Sequence, residues 1–275
     1  MRPGRGSLLA TPVSRAFDEI ASRYDSQWTD SAIGQLQRKA AWRLLDRVFQ
    51  PGHHVLDLGC GTGVDALYLT RRGMTVHAID VAPAMIAIAR RRSEDKSLRG
   101  RLRTQVLGIE DLEFLPGEEI FDGVVSNFSP LNCVADLEPV AAQLQRLVRP
   151  GGTLVFCLMT RFCLWETVWY PLRGELKKAS RRWRSPQSEA RAGSSENFPV
   201  YHQSTRDVEA AFAPAFRLIH REGLGIFVPP SDANPVLGRF PRLLQGLARL
   251  DRIVAAWPGF RSFGDHRLLV FQRGA

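Results

Sequence analysis

The run Val55-Leu56-Asp57-Leu58-Gly59-Cys60-Gly61-Thr62-Gly63 limits what this chain can fold into more than any other stretch. Residues 54–58 form a short apolar run that predicts a buried strand, and it ends in three glycines spaced two apart. The segment that follows, 64–72, has helical spacing, with Gly73 suited to end it. A strand that turns through glycines into a helix presents free N–H groups at the helix start. The missing Cβ atoms let a ligand approach the backbone there. Two common uses of such a turn are excluded. A dinucleotide fingerprint needs glycine where Val64 stands, and a P-loop needs Gly-Lys-Ser/Thr, which is absent. The turn therefore reads as a ligand site that does not cradle a pyrophosphate.

Strands and helices alternate around this turn. Strands are predicted at 54–58, 74–79, 105–107, 121–126 and 153–158, with helices at 64–72, 83–92 and 137–148 between them. Alternation at this spacing gives right-handed βαβ units and an α/β fold, a doubly wound, mostly parallel sheet with helices on both faces. Two further strands at 216–228 and 266–272 bring the count to seven, and a broken helix at 235–257 lies between them. Two amphipathic helices at 13–28 and 33–49 precede the sheet. The chain divides into four parts: an N-terminal tail and helices (1–50), a nucleoside-binding core (51–160), an inserted segment (161–204) and a C-terminal part (205–275) that completes the sheet. Residues 1–13 read as a frayed tail and 193–197 as a loop. With 275 residues and 44% hydrophobic content, the core is large enough to need no disulfide staple. Cys60, Cys133, Cys157 and Cys163 have no metal-ligand spacing, so no metal site is expected. Reduced thiols in a cytoplasm are the simplest reading.

Asp80 stands at the end of the second strand, 21 residues after Gly59. An ionised carboxylate there can accept hydrogen bonds from two vicinal ribose hydroxyls. With that acid in place, VLDLGCGTG followed by AIDVAPAMIAIAR resembles the class I S-adenosylmethionine (SAM)-dependent methyltransferases, in the branch acting on small molecules. The resemblance covers about residues 14–160 and implies a Rossmann-like fold, SAM as cofactor and S-adenosylhomocysteine (SAH) as product. It places Asp57 behind the glycine loop, reaching the amino end of SAM, and lines the methionine portion with Gly59, Cys60 and Gly61. It puts Asp80 on the ribose and packs Val81 and Met85 on the adenine. Where the family often has an acid for the adenine, this chain has Ile109. A backbone N–H of Ile109 then serves the ring, and Glu110 or Asp111 accepts from its amino group. Asn127, at the end of the fourth strand, orients substrate or contacts SAM. The first helix resembles a lid closing over SAM, with Tyr24 donating to the SAM carboxylate. Ser126-Asn127-Phe128-Ser129-Pro130 is not the signature of amino-group methylases acting on adenine or glutamine.

Methyl transfer from a sulfonium asks the protein mainly for positioning, and for a proton acceptor if the nucleophile is a hydroxyl or activated carbon. Candidate bases outside the sheet core are Tyr201 and His202, which precede a helix, with Glu166, His220 and His266 behind them. The segment 161–191 carries Trp165, Trp169, Tyr170 and Trp183 and eight basic against three acidic residues. It reads as a cover for a small, apolar or aromatic methyl acceptor, or as a face for an anionic membrane. The whole chain has 37 basic and 28 acidic residues, a net charge of +9. That excess is compatible with an RNA methyltransferase, although no RNA-binding module accompanies it and nucleic acid is not the expected partner. A third alternative is a SAM-binding protein, such as a cyclase, that transfers no methyl. Monomer and homodimer both remain open.

Overall fold

The computed structural model describes residues 11–98, 100–172, 174–193 and 197–274, and at Lys177 and Lys178 the backbone only. Part of the expected tail (1–10) and part of the expected loop (194–196) lie outside these residues. Seven strands form one sheet: β1 (His54–Leu58), β2 (Thr75–Asp80), β3 (Leu102–Val106), β4 (Phe121–Ser126), β5 (Val148–Met159), β8 (Phe216–Leu224) and β9 (His266–Arg273). Their order is β3-β2-β1-β4-β5-β9-β8. Neighbours from β3 through β5 are parallel, while β9 runs antiparallel to both β5 and β8. The chain moves outward from β1 to β3, then returns to add β4 on the other side of β1. The gap between the carboxyl ends of β1 and β4 is the switch point where open α/β sheets bind ligands.

Helices α1 (Pro12–Tyr24) and α2 (Ala32–Val48) come before the sheet, joined by one π-helical turn at Asp25–Thr29. This turn corrects the expected continuous helix to residue 28. Thr11 and Ser31 cap the two helices through their side-chain oxygens. Helices α3 (Val64–Arg71), α4 (Pro83–Ser93) and α5 (Glu138–Leu147) are the crossovers. Apolar clusters fill both faces of the sheet. One gathers Leu56, Leu58, Phe121, Phe156, Phe212 and Phe271, the other Val55, Val76, Val125 and Val155 under α2 and α3. Neighbours on one strand, such as Val55 and Leu56, thus belong to opposite faces, as pleating requires.

Three differences from the sequence reading have physical causes. Strand β3 starts at Leu102, earlier than its apolar run, because Leu102 is buried while Arg103 faces out, so the run looks polar. Strand β8 stops at Leu224, where Gly225 turns the chain with φ +68° and the Asp251 carboxylate accepts from the N–H groups of Ile226, Phe227 and Val228. Within the inserted segment, helices α6 (Leu164–Leu172), α7 (Leu176–Ala179) and α8 (Arg181–Arg184) lead into an unforeseen hairpin, β6 (Gln187–Ala190) with β7 (Phe198–Tyr201). Helix α9 (Thr205–Phe212) follows, and α10 (Asn234–Leu237) and α11 (Pro241–Val254) fill the connection from β8 to β9. No helix among the described residues is long and apolar enough to cross a membrane.

Candidate active site

Backbone geometry at the glycine loop is set by β2. The N–H groups of Gly59 and Cys60 both donate to Ile79 O at 2.9 Å. Asp80 then ties the loop to the start of α4: its Oδ2 accepts from Gly61 N at 2.8 Å and its Oδ1 from Ala82 N at 2.9 Å. Gly59, Gly61 and Gly63 all take positive φ, so each needs glycine. A Cβ at Gly59 would lie 2.3 Å from Pro130 Cβ, whereas at Gly61 it would meet nothing within 4 Å. Gly59 is thus a packing requirement, and Gly61 borders open space.

That space is a crevice of about 1600 Å³, including its open mouth, at the β1–β4 switch point. Tyr24, Asp57, Gly59, Cys60, Gly61, Asp80, Val81, Met85, Ile109, Glu110 and Asn127 all line it. Beyond the loop it continues into an apolar chamber walled by Val13, Phe17, Cys133, Val134, Met159, Phe198 and Val200. The inserted hairpin supplies Phe198 and Val200, so the insertion does form one wall of the crevice.

Charge is distributed unevenly in the crevice. Burial raises Asp80 to about 6. Burial, with Asp65 and Asp80 nearby, raises Asp57 well above the ordinary carboxylate range, and its Oδ2 is buried with no partner. Burial also raises Glu110, with Asp111 adding to the effect, and burial raises the Tyr24 hydroxyl. Among the described residues lining the crevice, one cation faces these acids. Arg38 Nη1 lies 2.5 Å from Asp65 Oδ2, and its guanidinium sits over the Phe128 ring, 4.8 Å from the centroid. Burial opposes its charge, but Asp65 more than offsets this and holds Arg38 above its usual value. Asp65 also accepts from Trp42 Nε1 at 2.6 Å and from Asn127 Nδ2 at 3.0 Å. Asn127 is therefore turned toward Asp65, and its own Oδ1 is buried without a partner.

Helix α1 is latched over the crevice. Ser14 Oγ donates to Val81 O at 3.2 Å, and Asp18 Oδ1 accepts from Ala84 N at 2.7 Å. Past its end, Asp25 accepts from Thr62 Oγ1 at 2.8 Å and from Arg92 Nη2 at 2.6 Å. Phe17 packs on Phe198, with ring centroids 5.6 Å apart, which joins the lid to the hairpin.

None of the candidate bases lines the crevice. His202 is 1% exposed, and its Nε2 is 2.8 Å from Ser188 Oγ. Burial, with Arg182 and Arg181 nearby, lowers it to about 4. Tyr201 accepts at its backbone carbonyl from Asn132 Nδ2 at 2.7 Å. Glu166 is buried between Arg181 and Arg182, each 2.6 Å away. His220 sits on β8 beside Glu222, and His266 lies beside Asp265. Alternation along β7 accounts for Tyr201: Phe198 and Val200 point inward, which leaves Tyr201 on the other side. Residues missed in the sequence are Arg38, Trp42 and Asp65. Only Asp65 carried a signal, an acid in the first turn of the helix that follows the glycines.

Comparison with known proteins agrees with this geometry. Residues 55–152 match the family described as a methyltransferase domain. A malonyl-[acyl-carrier protein] O-methyltransferase of Halorhodospira halophila is 38% identical over 163 residues, 57% of this chain and 51% of that protein. A demethylmenaquinone methyltransferase of Symbiobacterium thermophilum is 29% identical over 150 residues, 53% of this chain and 58% of that protein. The chain thus matches only about half the length of these relatives. The solved DhpI–SAH complex shares the fold at TM-score 0.60 and 16% identity, covering 98% of this chain and 99% of that one. Three features of the crevice suit SAM: open space at Gly61, two carboxylate lone-pair positions left on Asp80 after the loop is tied, and the buried, unpartnered Asp57 oxygen. Residues 55–152 thus match a methyltransferase domain, on a fold shared with solved SAM-dependent methyltransferases.

Proposed function

We propose that the chain transfers a methyl group from SAM to a small, apolar acceptor held in the chamber walled by Val13, Phe17, Val134, Met159, Phe198 and Val200. The observation that carries this is one crevice with two unlike halves, polar around Gly61, Asp80 and Arg38 and apolar beyond them. Bound in the polar half, SAM would supply an electrophilic methyl group on a sulfonium.

The chain's residues then take the following roles. Asp80 keeps two acceptor positions for neighbouring hydroxyls, and Val81, Met85 and Ile109 offer apolar surface to a planar base. Glu110 accepts from an exocyclic amine, with Asp111 alongside. Arg38 and Tyr24 face a carboxylate, and the free oxygen of Asp57 faces an ammonium. Gly59, Cys60 and Gly61 let the methionine chain lie against the backbone, and Asn127 Oδ1 is left to accept from a ligand donor. The lid and the hairpin exclude water.

Among the described residues, no group on the apolar side is poised to take a proton. Burial pushes the Cys133 thiol up to about 12, so it stays protonated at neutral pH. The acceptor must therefore bring a nucleophile already ionised or already carrying a free lone pair, such as a carboxylate, an ionised ring oxygen or carbon, or an amine. Relatives named for methylating a malonyl group and a demethylmenaquinone fit that requirement.

The test is calorimetric binding of SAM and SAH, followed by transfer of labelled methyl to a panel of acyl carboxylates, quinols and apolar amines. Micromolar binding of both, with label on an apolar acceptor, is the expected result. Tight binding with no transfer across the panel, or transfer only to RNA, would overturn the reading.

A further inference from the structure

Helix α11 carries two apolar stripes. Leu244, Leu247 and Ala248 pack inward on Ile33 and Val228. The second stripe faces out: Leu243 is 50% exposed, Leu250 47%, Ile253 60% and, past the helix end, Trp257 53%. Steps of seven, three and four residues put all four on one side. Phe240 and Phe260, also exposed, flank the stripe at its two ends in sequence. A run of this kind marks an interaction surface rather than scattered surface residues.

Charge selects the partner. Residues 234–263 hold five arginines, at 239, 242, 249, 252 and 261, and one acid, Asp251. Asp251 is buried and committed to the backbone N–H groups of Ile226, Phe227 and Val228. None of the five arginines has an ion pair among the described residues. Two copies meeting through this face would bring like charges together, which disfavours self-association.

Beside the stripe, α2, β8 and α11 border a cleft of about 1280 Å³, including its open mouth, and Ile253 and Trp257 line it as well. Arg43, Arg47 and Arg252 face this cleft. Of its carboxylates, Glu222 is 3.3 Å from Arg47 and 3.2 Å from His220, Asp46 is bonded to Arg72 and Tyr68, and Asp251 is buried. Burial and the nearby Arg252 push the Arg43 guanidinium down, with Arg47 adding to the effect against the pull of Glu222. An anion placed among the three would relieve that repulsion.

We propose that the α11 face and the three-arginine cleft form a docking site for an anionic lipid bilayer. The outer stripe enters the headgroup boundary, and a lipid phosphate sits among Arg43, Arg47 and Arg252. Amphipathic helices with an aromatic-aliphatic face and a basic flank bind membranes in this way. In the segment 161–191, where the sequence suggested such contact, Val168, Leu172, Leu176 and Trp183 are also exposed, but part of its basic and aromatic character is committed inward. Arg181 and Arg182 are spent on Glu166 and Asp265, and Trp165 donates to Phe227 O at 2.8 Å.

The test is flotation of the full chain with vesicles of phosphatidylglycerol and phosphatidylcholine in equal parts, against phosphatidylcholine alone. Binding is expected only to the anionic vesicles and should weaken as salt rises. Arg43→Gln and Arg252→Gln should each weaken it about fivefold. Leu250→Glu with Ile253→Glu should abolish it while leaving SAH binding and melting temperature unchanged. Millimolar inorganic phosphate should fail to compete, because a soluble anion lacks the apolar contact. Equal binding to both vesicle types, or undiminished binding by the double variant, would overturn the proposal. So would full competition by phosphate, or a dimer that the double variant dissolves.

Discussion

Asp65→Asn is the most informative single change in the crevice, because three donors converge on this one carboxylate. Arg38 Nη1 and Asn127 Nδ2 meet Oδ2, and Trp42 Nε1 meets Oδ1. An asparagine is nearly the same shape but has one acceptor oxygen. If that oxygen stays with Arg38 and Asn127, its NH₂ faces the indole N–H. If the amide flips, the NH₂ faces two donors. In either pose Arg38 loses its counter-ion while its side chain remains only 12% exposed. Removing one partner from a buried ion pair costs about 3–5 kcal/mol. For a chain of roughly this size, that lowers the melting temperature by about 6–20 °C. The assay is urea and thermal unfolding of the ligand-free protein at pH 7.5. The double variant Arg38→Met with Asp65→Asn should recover a large share of the loss, because the unpaired charge is gone. A loss under about 1 kcal/mol for Asp65→Asn, or no recovery in the double variant, would refute the reasoning.

Three further outcomes are expected. SAH affinity, measured by calorimetry, should fall about tenfold between pH 7 and pH 5 as Asp80 protonates around 6, and Asp80→Asn should flatten that dependence. The free fold responds to Asp80 with the opposite sign: this contribution to stability is present below the ordinary carboxylate value and is lost as pH rises through 6. Gly59→Ala should cost about 2–5 kcal/mol in urea unfolding, since it combines φ +69° with a clash against Pro130, whereas Gly61→Ala should fold with a smaller loss and bind SAH poorly. His202 is held neutral at about 4, so its contribution is complete above 6.5 and is lost as pH falls toward 4; His202→Asn should flatten that acid limb of the stability profile, by at most about 3 kcal/mol.

The polar half of the crevice was legible because it depends on local spacing. Gly59, Gly61 and Asp80 act through backbone geometry at one strand end, and a strand-turn-helix writes that geometry into consecutive residues. Arg38 and Trp42 were not legible. They reach Asp65 across 27 and 23 residues, from a helix whose apolar stripe says only which face packs. Proton acceptors were sought by residue type in the insertion, but side-chain direction there depends on the register of the β6–β7 hairpin. Where the sequence shows a polar residue after an apolar one, as at Val200-Tyr201, the strand sends them to opposite sides. Strand β3 shows the same limit, since one buried face does not produce an apolar run.

Phe17 touches both halves of the crevice, through its packing on Phe198 and its place on the latched helix α1. The two compartments therefore share one roof, closed on one side by Ser14, Asp18 and Asp25 and on the other by the hairpin. Lifting that roof for either molecule uncovers the other. If the two halves hold cofactor and acceptor as proposed, both products would leave through a single opening motion, and turnover would depend on how often those few polar bonds release together.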